Sequence, residues 1–171
     1  ARAAPRRDRA GVTVRLLIAA GGLGMCLVVV LLATLSPTPI DQGYESAIER
    51  VLSVLHRNGV PEWFGYRWFE FSANVAMFVP LGFFLALVFP TRFLWIALPL
   101  VPALSATLEM VQYFVLPARF ATVNDVIANS LGGWVGVAVA GMVVVAVHVR
   151  DRRVLRAWRE KNVIGVREPV A

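Results

Sequence analysis

Glu109 sits inside an otherwise apolar run, with Ser105 four residues before it and Gln112 three after it. At helical spacing these three share one face. An ionisable side chain at the centre of a membrane span costs roughly 2.5–3.5 kcal/mol, so each one needs a reason to be there. Arg119 follows a few residues later, then Asp125 and, one helical turn on, Asn129; Asn74 stands near the start of an earlier apolar run. These groups suit two kinds of chemistry. As a binding set, Arg119 meets an anionic group while Asn74, Gln112 and Asn129 supply directional hydrogen bonds. As a catalytic set, Glu109 and Asp125 act as general acid and base, with Arg119 steadying developing negative charge. Two bland roles compete. Asp125 suits the N-terminus of a helix, where an acid satisfies free N–H groups. Glu109 could form a buried ion pair with Arg119, or a protonated carboxyl bonded to Asn74, that only holds helices in register.

The elements that must position these residues follow from hydropathy. The chain has 171 residues, of which 58% are hydrophobic and 16% charged, a balance that belongs in a bilayer rather than in water. Apolar runs at 16–35, 71–89, 93–116 and 126–149 are each long enough to cross about 30 Å of hydrocarbon. The expected fold is all-α, a polytopic membrane protein built as a four-transmembrane-helix bundle. The first run is expected to span rather than be cleaved as a leader, because it is longer than a signal peptide's apolar region and Ala33 to Pro37 is a weak cleavage site. Pro80, Pro99 and Pro102 lie inside spans, where neighbouring helices re-satisfy freed carbonyls.

Arginine and lysine cluster in the basic tails 1–15 and 150–171, so both termini are expected in the cytoplasm, with Arg92 in a tight inner turn. Residues 36–70 and 117–124 then face outward. The net charge of +6 resides in those tails, not on a folded basic face, and nucleic acid is not an expected partner. Between the first two spans, Tyr44, Ile48, Val51, Leu52 and Leu55 recur at helical spacing opposite Glu45, Glu49 and Ser53. This predicts an interfacial amphipathic helix over about 41–58, closed by Asn58-Gly59 and followed by headgroup-depth aromatics from Trp63 to Phe69. It could be a lid or a passive connector.

On this topology Asn74, Glu109, Gln112, Arg119, Asp125 and Asn129 share an outer depth and can converge. Ala128, Gly132, Gly136 and Ala140 repeat every four residues on the last span, a small-residue stripe that lets a neighbouring backbone approach closely. Cys26 is the one cysteine, and His56 and His148 lie outside ligand spacing, so neither a metal nor another cofactor is expected.

Residues 74–82, Asn-Val-Ala-Met-Phe-Val-Pro-Leu-Gly, together with Glu109-x-x-Gln112, Arg119, Asp125, Asn129 and Gly132, resemble the VanZ-like family of small bacterial membrane proteins. The resemblance covers about 71–141. It implies a cell-envelope protein of the bacterial cytoplasmic membrane, associated with resistance to glycopeptide antibiotics of the teicoplanin type, and implies no established reaction. Where that family often has an acid three positions after the arginine, this chain has Thr122. Absence of a nucleophile elbow, metal-ligand cluster or phosphate loop favours a binding protein for the headgroup of membrane lipids, a lipid-linked envelope precursor or a lipophilic glycopeptide. A lipid-modifying enzyme is the alternative. A further one is an accessory subunit, with a membrane-protein partner or as a homo-oligomer.

Overall fold

The computed structural model describes residues 6–34, 43–115 and 122–165, with only the backbone described for 6–12, 157 and 159–165. Five α-helices and a short 3-10 segment follow one another: α1 (Arg6–Thr34), α2 (Glu45–Arg57), α3 (Tyr66–Val88), the 3-10 segment (Thr91–Ile96), α4 (Ala97–Val115) and α5 (Val123–Gly165). Four stretches are long and apolar enough to cross a membrane: Thr13–Thr34, Tyr66–Val88, Thr91–Val115 and Val123–Arg156. The shortest has 22 residues, which rise about 33 Å at 1.5 Å each and so match the hydrocarbon thickness. Large apolar side chains on α1, α4 and α5 stay exposed, among them Leu17, Leu32, Phe114, Val135 and Met142, as expected of surfaces solvated by lipid tails.

Helices α3 and α5 run parallel and form the largest interface, with α1 packed on α3 and α4 on α5. Small residues make that interface possible. A Cβ on Gly132 would meet the backbone of Val75, one on Gly136 the backbone of Val79, and one on Gly82 the backbone of Gly133. Ala128 and Ala140, which complete the stripe, are fully buried. The core then fills around Phe78, Leu81, Val101, Leu108 and Val30, with Ala86, Ala97, Val137 and Ala140 towards the other end.

Several boundaries differ from hydropathy. Helix α3 begins five residues earlier than the apolar run, taking in Tyr66 to Glu70. Pro90 stops it, and the 3-10 segment turns the chain before α4 begins at Ala97. Pro102 lies within α4 and Pro80 within α3; Pro99 falls in the first turn of α4, where a missing N–H costs little. Helix α5 continues past Val149 to Gly165, because the Arg, Leu, Ala, Trp, Glu and Lys residues there are competent helix formers.

Helix α2 ends as its sequence suggests. Asn58 is the C-cap and Gly59 takes φ +95. The Val60 N–H donates to Leu55 O at 3.0 Å and the Gly59 N–H to His56 O at 3.1 Å, the paired bonds of a Schellman motif. No residue of α2 is buried. Its apolar face, with Val51 and Val54 exposed, makes no extensive packing with the four long helices.

Candidate functional site

One end of the bundle gathers the end of α1, the start of α3, the end of α4 and the start of α5, and α2 lies at that same end. There a cleft of about 1430 Å³ opens between them, larger than the ~300–1,000 Å³ typical of small-molecule sites. Asn74, Glu109, Gln112, Asp125 and Asn129 all line it. Arg119 lies outside the described residues.

Each side chain is placed by its helix. Asn74 stands eight residues into α3, about 12 Å from its start at 1.5 Å per residue, so the first two turns of α3 rise above it as a wall carrying Tyr66, Arg67 and Glu70. Asp125 is in the first turn of α5. Because α3 and α5 are held close by the glycines below, the Asn74 Nδ2–H donates to Asp125 Oδ1 at 2.8 Å. Across the cleft, α4 runs antiparallel and presents Gln112, Glu109 and Ser105 on successive turns, all buried. The Gln112 Nε2–H donates to Thr34 O, closing α4 onto the end of α1.

Thr122 connects the two acids. Its hydroxyl donates to Asp125 Oδ2 at 2.7 Å, its Oγ1 accepts from the Asp125 N–H at 3.2 Å, and its own N–H donates to Glu109 Oε2 at 3.2 Å. Thr122 therefore caps α5 and at the same time bridges Asp125 to Glu109. The side chain that takes a helix N–H is thus that of Thr122 rather than Asp125, whose oxygens accept from Asn74 and from the Thr122 hydroxyl while its place in the first turn suits the helix dipole. Thr122 stands out in sequence only through the Thr122-x-x-Asp125 spacing that often opens a helix.

One turn deeper, Asn129 is 2% exposed and Ser105 is fully buried. The Asn129 Nδ2–H donates to Ser105 Oγ at 3.0 Å, and Asn129 Oδ1 has no hydrogen-bond partner. That pairing joins α5 to α4 at the floor of the cleft. Sequence spacing put Ser105 on the Glu109 face, but did not identify its partner. Gly132 and Gly136 lie below, in the α3–α5 contact rather than in the cleft.

Aromatic side chains line the cleft as well. Trp63, Tyr66, Trp68 and Phe71 line the cleft, with Trp63 and Trp68 edge to face at 5.7 Å and Trp68 and Phe71 at 5.9 Å. Ile48 of α2 and Tyr44, the residue that precedes that helix, also line it. His56 ties the turn after α2 back to the helix, through Nε2 at 3.0 Å from Phe64 O. Among the described residues no group of three or more His, Cys, Asp or Glu is placed to hold a metal ion.

The family model described as VanZ/LLP1 matches residues 23–144, which include every residue that lines the cleft. Comparisons with curated proteins and with solved structures gave no match.

Proposed function

The chain belongs to the VanZ/LLP1 family, and from that premise we propose that it is a cell-envelope protein whose cleft recognises the headgroup of a membrane lipid, a lipid-linked envelope precursor or a lipophilic glycopeptide. One observation carries the reading: polar residues from three membrane-spanning helices line a single cleft that aromatic side chains line as well. Glu109, Gln112 and Asn129 are buried at a depth where an unused polar side chain would be costly. In this reading both basic tails lie in the bacterial cytoplasm and the cleft opens at the outer face of the inner membrane. Helix α2 rests at the interface as a cover, and Arg119 serves the rim. Occupancy of the cleft by a precursor or a glycopeptide would then alter susceptibility to antibiotics of the teicoplanin type.

The test is lipid retention by the purified full-length chain, read by native mass spectrometry. Glu109→Gln and Arg119→Ala should each lose headgroup-bearing lipid while keeping the size-exclusion profile of the wild type. Unchanged retention in both would refute the proposal. A second reading, a lipid-modifying enzyme, is favoured by the Thr122 bridge, which holds two carboxylates beside one cavity. Turnover of polyprenyl phosphates or phospholipids by the wild type, lost in Asp125→Asn, would establish it in place of simple binding.

A further inference from the structure

Asn129 Oδ1 is the starting point. A buried amide oxygen without a partner costs about 1–3 kcal/mol, and this one belongs to a residue that lines the cleft. Exchanging the amide's nitrogen and oxygen does not remove the problem, because the Ser105 contact would then occupy the oxygen and leave the nitrogen unpaired. The floor of the cleft therefore asks for a ligand group able to complete this amide in either orientation. A hydroxyl does so, since it is both donor and acceptor, whereas an ammonium only donates and a phosphate at neutral pH mainly accepts.

The walls ask for the same thing. Asn74, Gln112 and Asn124 add further carboxamides, each nitrogen carrying two hydrogens, and Asp125 keeps lone pairs beyond the two it uses for Asn74 and Thr122. Mixed amide and carboxylate groups of this kind match a run of neighbouring hydroxyls, each of which gives one hydrogen bond and takes another. The rings of Trp63, Tyr66 and Trp68, which are exposed and line the same cleft, offer flat apolar faces, suited to the C–H face of a pyranose.

We infer that the part of the headgroup reaching the floor of the cleft is a polyol, so that the ligand is a glycosylated lipid whose sugar lies between the Trp63–Trp68 wall and Asn129. This rests on the headgroup-recognition reading and narrows it to one chemical class.

The test uses the full-length chain purified in detergent and offered equal amounts of four dioleoyl lipids: monoglucosyldiacylglycerol, phosphatidic acid, phosphatidylethanolamine and diacylglycerol. Retention is read by native mass spectrometry. The glucolipid should be retained about tenfold over diacylglycerol, the equivalent of one or two satisfied buried hydrogen bonds, and clearly above both phospholipids. Asn129→Leu, which removes the amide at similar volume, should cut the glucolipid's advantage to within about twofold of diacylglycerol. Trp63→Ala, a change at an exposed ring, should lower it without altering thermal stability, which guards against a folding defect in the first variant. A phospholipid retained as well as or better than the glucolipid would overturn the polyol inference and leave headgroup recognition standing. Equal retention of all four lipids would overturn both. An undiminished glucolipid preference in Asn129→Leu would also overturn the inference.

Discussion

Replacing Gly132 with alanine adds one methyl group where α5 lies closest to α3. A Cβ at this position would sit 3.0 Å from the Val75 Cα and nearer still to the Val75 carbonyl oxygen. Backbone atoms cannot rotate aside as a side chain does, so the helices must separate, by roughly 1–1.5 Å to restore ordinary van der Waals distance from that oxygen. Overpacking of this kind costs about 1–3 kcal/mol, while alanine regains up to ~1 kcal/mol over glycine in helix propensity. The net expectation is a loss of about 1–2 kcal/mol. Gly141→Ala is the control, because a Cβ there meets nothing within 4 Å and only the propensity gain remains. The separation should also reach the cleft. Asn74 adjoins Val75, and its 2.8 Å bond to Asp125 would stretch past the useful range for an N–H donor. Thermal unfolding of both variants in the same detergent, with lipid retention measured alongside, reads each effect. If Gly132→Ala proved as stable as Gly141→Ala and retained lipid like the wild type, the close α3–α5 contact would not be what positions the site.

The Asn74–Asp125 bond can be isolated by a double-mutant cycle with Asn74→Leu and Asp125→Ala, which should give a coupling of about 0.5–3 kcal/mol in unfolding free energy; additive losses would mean the pair contributes nothing. Gly59→Ala forces a side chain into φ +95 and should cost about 1–2 kcal/mol locally, seen as faster amide exchange at Gly59 and Val60. Protection in α3 to α5 should stay unchanged, and a global loss of protection would contradict the separateness of α2. Ser53→Cys in a Cys26→Ser background should react in intact cells with a membrane-impermeant maleimide. Labelling that required permeabilisation would reverse the proposed orientation.

The four spans were legible because apolar runs long enough to cross a bilayer have few alternatives, and the stripe of small residues from Ala128 to Ala140 marked a face for close packing. Helix limits were less legible. Arg67 and Glu70 look like loop residues to a hydropathy scale, yet in α3 their backbone groups bond within the helix while their side chains line an open cleft. Arg152 to Lys161 likewise mark the end of a span without ending the helix. For the site, helical spacing sorts residues onto faces but leaves the register between helices undetermined. It placed Ser105 with Glu109, and Asn129 with Asp125. The bond from Asn129 to Ser105 follows only once α4 and α5 lie side by side, with Gly133 packed on Val101.

Thr122 shows what that missing register concealed. Read against the family pattern, it stands where an acid is often found, so it looks like the loss of a charge. In the fold it lies between Glu109 and Asp125 and gives each of them a hydrogen bond, one from its N–H and one from its hydroxyl. A carboxylate side chain at that position would bring a third acid beside Asp125 and would have no hydroxyl to donate to it when ionised. Threonine instead supplies two donors, one to each acid. Thr122→Ala is therefore expected to disturb the cleft more than its small change in volume suggests. It should remove the α5 cap, worth about 0.5–2 kcal/mol, and release Asp125 Oδ2, while the backbone bond to Glu109 persists. Thr122→Ser, which keeps the hydroxyl, should restore both stability and lipid retention; failure of serine to do so would mean that the threonine methyl group, not the bridge, is what the site requires.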